Sequence, residues 1–120
     1  MRLWITSALI IIVFANEGCN YDKPLLPLAN CDTSIVTFSG TIKPIITANC
    51  IRCHIGPDAL NANGIVIDDY VSLKKQVPQP LLDAILHTGN VTPMPQDGGM
   101  LDACTIAKIK IWIAAGAPNN

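Results

Sequence analysis

The sequence predicts a small all-α domain of about four helices joined by long loops. Apolar residues recur at helical spacing in several short segments, and capping and stop residues bracket those segments. Nine Pro and eight Gly in 120 residues assign much of the remaining chain to turns. A chain of this length holds one domain at most. Half of it is apolar, 14% is charged, and the formal net charge is −1. That balance supplies no basic field for nucleic acid. No run of eighteen apolar residues marks an ordinary membrane-spanning helix. No repeat is present, and the Ile, Leu and Val content argues against disorder. A multidomain enzyme, a nucleic-acid binder and an integral membrane protein are thereby excluded. Mean hydropathy is nevertheless +0.38, with part of the excess in the first fifteen residues. Two Phe, two Tyr and two Trp give a domain of this size little large side-chain material for a core.

Residues 1–18 read as a signal peptide. Met1-Arg2 gives a positive start, and Leu3 to Ala15 is apolar except for Thr6 and Ser7. Such a stretch suits a signal-peptide core and is short for a spanning helix. Gly18-Cys19 follows, and a small residue before a Cys at this place resembles a bacterial lipoprotein signal. Asn16 stands where that signal prefers an aliphatic residue. The resemblance implies lipidation of Cys19 and anchoring to a membrane. The bland alternative is a leftover thiol in a tail cleaved elsewhere. Residues 19–30, with Pro24 and Pro27 and no helical period, read as an extended tether. The folded domain, 31–120, begins at Cys31.

Ile42, Ile45 and Ile46 share one helical face, and Pro44 is tolerated in a first turn, so a helix is expected from Thr41 to Asn49. Ile55 to Gly64 reads as loop on its Gly56-Pro57 and Asn63-Gly64 turn signals. Ile65-Val66-Ile67 is a short extended piece. Asp68 or Asp69 can cap a short helix running to Gln76, which Val77-Pro78-Gln79-Pro80 breaks. Pro80 can open a third helix through Leu81, Leu82, Ile85 and Leu86, with Gly89 past its end. Asn90 to Leu101 is an irregular loop. Asp102 suits the N-cap of a last helix to Ala115, whose stripe is Ile106, Ile109, Trp112 and Ile113, with Gly116 and Pro118 as stops. Loops this long in so small a domain usually serve a site.

The segment that carries chemistry is Cys50-Ile51-Arg52-Cys53-His54. This C-x-x-C-H spacing is that of c-type haem attachment. Two thiols three positions apart at a helix end can add to the two vinyl groups on one haem edge, and the adjacent His is then held under the iron. Covalent attachment lets a small domain keep its cofactor without a large pocket. A haem also supplies the aromatic bulk that the composition lacks. Two other uses of the thiols compete. A thiol–disulfide oxidoreductase would want a βαβ setting, and a four-Cys zinc site would want a second close pair, whereas Cys31 and Cys104 are far apart.

A haem held this way leaves a sixth iron position on its far face. Met on the far face raises the potential of an electron-transfer haem. Within the domain the candidates are Met94, Met100 and His87. Met94 lies in Pro93-Met94-Pro95, where flanking prolines lower the cost of ordering the thioether. It is therefore favoured over gap-filling core. His87, near the end of the third helix, reads as a polar group at the haem rim or an exposed side chain.

An apolar helix, C-x-x-C-H, a Met-Pro loop about forty residues later and a closing helix with Trp112 resemble a small class I cytochrome c. More narrowly, residues 31–119 resemble the single-haem cytochrome c lipoproteins of Bacteroidetes-type bacteria. The carrying segments are Thr41 to Ile46, Asn49 to His54, Pro93-Met94-Pro95 and Ala107 to Pro118. The resemblance implies Cys50 and Cys53 as thioether sites, His54 as proximal ligand and Met94 as distal ligand of one haem c. It also implies that the first and last helices pack near the haem edge through Trp112.

Cys31 and Cys104 remain. In an oxidising compartment an even remainder suggests a disulfide, against the alternative of two buried free thiols. Lys74-Lys75 and Lys108-x-Lys110 read as solvated faces or, less favoured, a docking patch. No catalytic triad, paired carboxylates or phosphate loop is visible. The expectation is an exported, periplasmic or cell-envelope electron carrier. It would be tethered by lipid, with unidentified redox proteins as donor and acceptor. A haem peroxidase or gas-binding sensor with a labile sixth ligand is the alternative, a thiol–disulfide oxidoreductase follows it, and the sequence does not separate a free-standing carrier from the electron-entry subunit of a larger dehydrogenase or oxidase.

Overall fold

The computed structural model describes residues 30–96 and 98–120. The signal segment 1–18, Cys19 and the tether up to residue 29 lie outside the described residues. Among the described residues the fold is helical, with no strand. A π-helical turn, Phe38–Ile42, runs directly into α1, Lys43–Asn49. A 3-10 helix follows at Gly56–Ala62. Next come α2, Tyr70–Lys74, α3, Leu81–Leu86, and α4, Ala103–Ala114. None of the described helices is long and apolar enough to cross a membrane.

The first helical segment starts earlier than its apolar spacing predicts. Thr37, extended at the N-cap, accepts a hydrogen bond on Oγ1 from the Gly40 N–H. A Cβ at Gly40 would stand 2.9 Å from that oxygen, so only glycine allows the close approach. Thr41 and Ile42 N–H both donate to Thr37 O. Pro44 sits in the first turn of α1, where its missing N–H costs nothing.

Asp69 and Asp102 cap α2 and α4 as expected. Asp69 accepts from the Ser72 N–H at 2.8 Å and Asp102 from the Thr105 N–H at 3.0 Å. The helix opened by Pro80 is α3. The predicted loop 55–64 is instead largely the 3-10 helix, which the two turn signals bracket rather than dissolve. The extended piece 65–67 is present but pairs with no strand.

The core gathers Phe38, Ile42, Ile46, Ile67, Leu73, Leu81, Ile85, Ile109 and Trp112. α4 packs on the π-helical turn, with the Trp112 and Phe38 rings 6.0 Å apart. Tyr70 meets the other side of Phe38 edge-on at 5.1 Å. Three aromatic rings thus supply the large core side chains, and Trp112 is fully buried.

The chain after α4 turns back over this core. Gly116 and Ala117 adopt positive φ, and the Ala117 N–H returns to Trp112 O, closing the helix end. Ala117 O accepts from Tyr70 Oη at 2.9 Å and from Lys74 Nζ at 3.0 Å. Lys74 also donates to Gly116 O. Lys74 therefore serves the C-terminal end of α4, where a cation is favoured, rather than a free face. Trp112 Nε1 donates to Pro118 O. Asn120 accepts from Phe38 N–H on Oδ1 at 2.8 Å and from Ser39 N–H on its carbonyl at 2.8 Å. Cys31 and Cys104 form a disulfide with Cα atoms 5.5 Å apart across 73 residues of sequence. It joins the segment before the π-helical turn to the start of α4, as the cysteine arithmetic suggests.

Candidate functional site

The C-x-x-C-H segment begins where α1 ends. Cys50 is the C-cap, and its N–H still donates to Ile46 O. The chain then tightens into turns. Cys53 N–H donates to Cys50 O at 3.2 Å, and His54 N–H is shared between Cys50 O and Ile51 O. Residues 50–54 are thereby wound into one compact unit with Cys50, Cys53 and His54 on it. Both cysteines are free thiols; Cys50 is half-buried and Cys53 exposed.

His54 is the buried polar side chain of this unit, 9% exposed. Its position is set by the extended piece that follows the 3-10 helix. Ile67 N–H donates to His54 O at 3.1 Å. His54 Nδ1 lies 2.8 Å from Ile65 O. A carbonyl can only accept, so Nδ1 carries a proton, and in the neutral ring Nε2 is left with the lone pair. That tautomer is the one a metal-ligating imidazole needs, with its second nitrogen held by an outer partner. Sequence reasoning missed Ile65 and Ile67 as contributors. Both act through backbone groups, which no side-chain pattern displays.

Burial pushes the Cys50 thiol up to about 11. A buried thiol at the C-terminal, negative end of a helix is the reverse of the environment that activates a redox cysteine. Cys50 is therefore poorly placed as a redox nucleophile, while Cys53 stays an exposed free thiol. The four-Cys zinc reading loses two ligands to the Cys31–Cys104 disulfide. Among the described residues no three His, Cys, Asp or Glu side chains gather as a metal cluster.

Met94 lies in the loop between α3 and α4 and is half-buried. Its N–H donates to Ala84 O at 2.9 Å, and its carbonyl lies 3.1 Å from His87 Nε2. His87 is therefore neither a free rim group nor simply exposed: Nε2 is committed to Met94 O. Met100, by contrast, is 51% exposed. The C-x-x-C-H unit and α3, to which the backbone of Met94 is tied, rest on one core. Cys50 and Ile51 of the first and Leu82 and Leu86 of the second pack against it, as does Ile65 of the extended piece.

The donors here are of the types that a covalent haem takes. Two unpaired thiols at motif spacing, a buried imidazole of the correct tautomer and a backbone-tethered thioether are the groups that such attachment and ligation use. Apolar side chains in the segments around the motif are exposed, Ile55 at 38% and Leu60 at 82%. No protein-family model matches the chain, and neither a curated protein nor a solved structure matches it.

Proposed function

We propose that this chain is a single-haem c-type cytochrome, exported and tethered to a membrane through Cys19, that carries electrons between redox proteins. The observation that carries the reading is the His54 ring. It is buried in a C-x-x-C-H turn, and Ile65 O holds its Nδ1–H so that Nε2 is the coordinating atom. Cys50 and Cys53 would hold the haem through thioether bonds, with His54 and Met94 as the axial ligands. Bound haem supplies one-electron Fe(III)/Fe(II) chemistry.

The protein's own part is to hold the ligands and limit rearrangement. The carbonyl of Ile65 fixes the imidazole plane and raises its basicity as a ligand. The α3 anchors fix the backbone of Met94. The Cys50 and Cys53 thiols supply the attachment that a small apolar core could not replace. No general acid, general base or nucleophile is required, so the reading is a carrier and not an enzyme.

The test is expression of the full chain in a host that matures c-type cytochromes. A pyridine haemochrome spectrum is then taken on denatured protein. Retained haem with the absorption of two thioether links is the expected result. Loss of all haem on denaturation, beside a control cytochrome that keeps its own, overturns the reading. Rapid and complete CO binding by the native reduced protein would move it to the peroxidase or gas-sensor class.

A further inference from the structure

The loop that presents Met94 is fastened at both polar groups of that one residue. Its N–H goes to Ala84 O and its carbonyl to His87 Nε2, so both anchors lie in the last turn and cap of α3. The carbonyl can only accept, so His87 must carry its proton on Nε2. That nitrogen is then occupied and cannot itself serve as a ligand.

The backbone at His87 makes the choice of residue informative. His87 is the C-cap of α3 at φ 55° and ψ 42°, in the left-handed region. Glycine is the residue that favours this position, and a non-glycine residue there carries local strain. Gly89 lies two positions on, also at positive φ, with the Asp83 carboxylate 3.1 Å from where its Cβ would be. The chain thus accepts strain at 87 although it uses glycine nearby. What the imidazole supplies in return is the bond to Met94 O, across seven residues of sequence.

We propose that His87 is the positioning residue for Met94, and that its hydrogen bond determines how firmly the thioether stays on the haem iron. This rests on the cytochrome reading. The role is that of an outer partner that orients a ligand, as Ile65 O does for His54.

Two substitutions separate this role from helix capping. His87→Gly keeps and eases the left-handed backbone but removes the donor. His87→Gln restores a donor of similar reach. Both are made in the full chain and matured in the same host, and the haemochrome assay is run first. The ferric proteins are then titrated with imidazole, and the long-wavelength Met–iron charge-transfer band is recorded. Imidazole affinity is expected to rise about three- to tenfold in His87→Gly, the loss of one ordinary hydrogen bond. The band is expected to weaken with it, and both are expected to return toward wild type in His87→Gln. A His87→Gly protein that keeps covalent haem, wild-type band and wild-type imidazole affinity overturns the proposal and leaves the cytochrome reading standing. Absence of covalent haem in the wild-type chain removes the reading itself, and the proposal with it.

Discussion

The packed side of this domain and its site side are built by different means. On the packed side, α4, the π-helical turn and the returning chain bury Trp112, Phe38 and Ile109. Aromatic contacts, caps and a disulfide close that side. On the site side the elements are short and the joints are mostly backbone hydrogen bonds. Tight turns and the extended piece 65–67 hold His54, and α3 with its cap holds the backbone of Met94, while Leu60 and Met100 face solvent. The difference teaches that one side is a scaffold complete in its own side chains. The other is a frame for groups whose value lies in where they are held.

Variants can break or sharpen this contrast. The largest effect is expected from opening the disulfide with Cys31→Ser and Cys104→Ser together. A loop spanning 73 residues is worth about 4–5 kcal/mol by the chain-entropy model. Urea unfolding should show that loss, with haem attachment retained in what folds. Trp112→Ala comes next, at about 3–5 kcal/mol, because it removes a fully buried ring, its contact with Phe38 and the bond to Pro118 O. A Trp112→Ala protein of unchanged denaturation midpoint would show that the scaffold side is not what holds the fold.

Met94→Ala probes the other side. It should cost about 1 kcal/mol or less of stability, as a half-buried loop residue. It should nevertheless lower the reduction potential by on the order of 0.1 V, within the span of about 0.8 V set by axial ligands, and admit CO. An unchanged potential and spectrum would remove Met94 from the ligand set. The smallest effect is expected from Asp102→Asn. Hydrogen bonds from the Thr105 side chain and then its N–H hold the Asp102 carboxyl below the usual carboxylate range. Its folded pKa is therefore depressed, and its contribution is present above the unfolded value of about 4 and lost as pH falls through the folded one. Asn caps nearly as well, so Asp102→Asn should cost a few tenths of a kcal/mol at neutral pH. The acid limb of the stability curve should flatten. A limb of unchanged slope would show that Asp102 is not one of the groups producing it.

Much of the scaffold was legible in the sequence because its signals sit in side chains. Asp69, Pro80, Asp102 and Gly116 mark helix ends by their own chemistry, and the Ile106-Ile109-Trp112 stripe marks a buried face. The start of the first helical segment was not legible, because its cap depends on Thr37, Gly40 and an Asn120 that is 82 residues from Phe38 in sequence. The 3-10 helix has no apolar period to read. For the proposed site, the candidates Cys50, Cys53, His54 and Met94 come from spacing and flanking prolines. What orients them does not. Ile65 O and Ala84 O are peptide carbonyls that any residue would offer, and His87 is distinguished by a backbone angle that its neighbours impose.

The return of Asn120 to Phe38 and Ser39 has a kinetic consequence. The N-terminal end of the first helical segment is completed by a residue 82 positions away from Phe38 in sequence. Contacts so far apart in sequence are slow to form and come late. The Cys50–His54 segment, whose bonds are local apart from those to Ile65 and Ile67, can therefore wind before the scaffold closes. Until it closes, the Cys50 thiol, half-buried in the folded domain, is as open as that of Cys53.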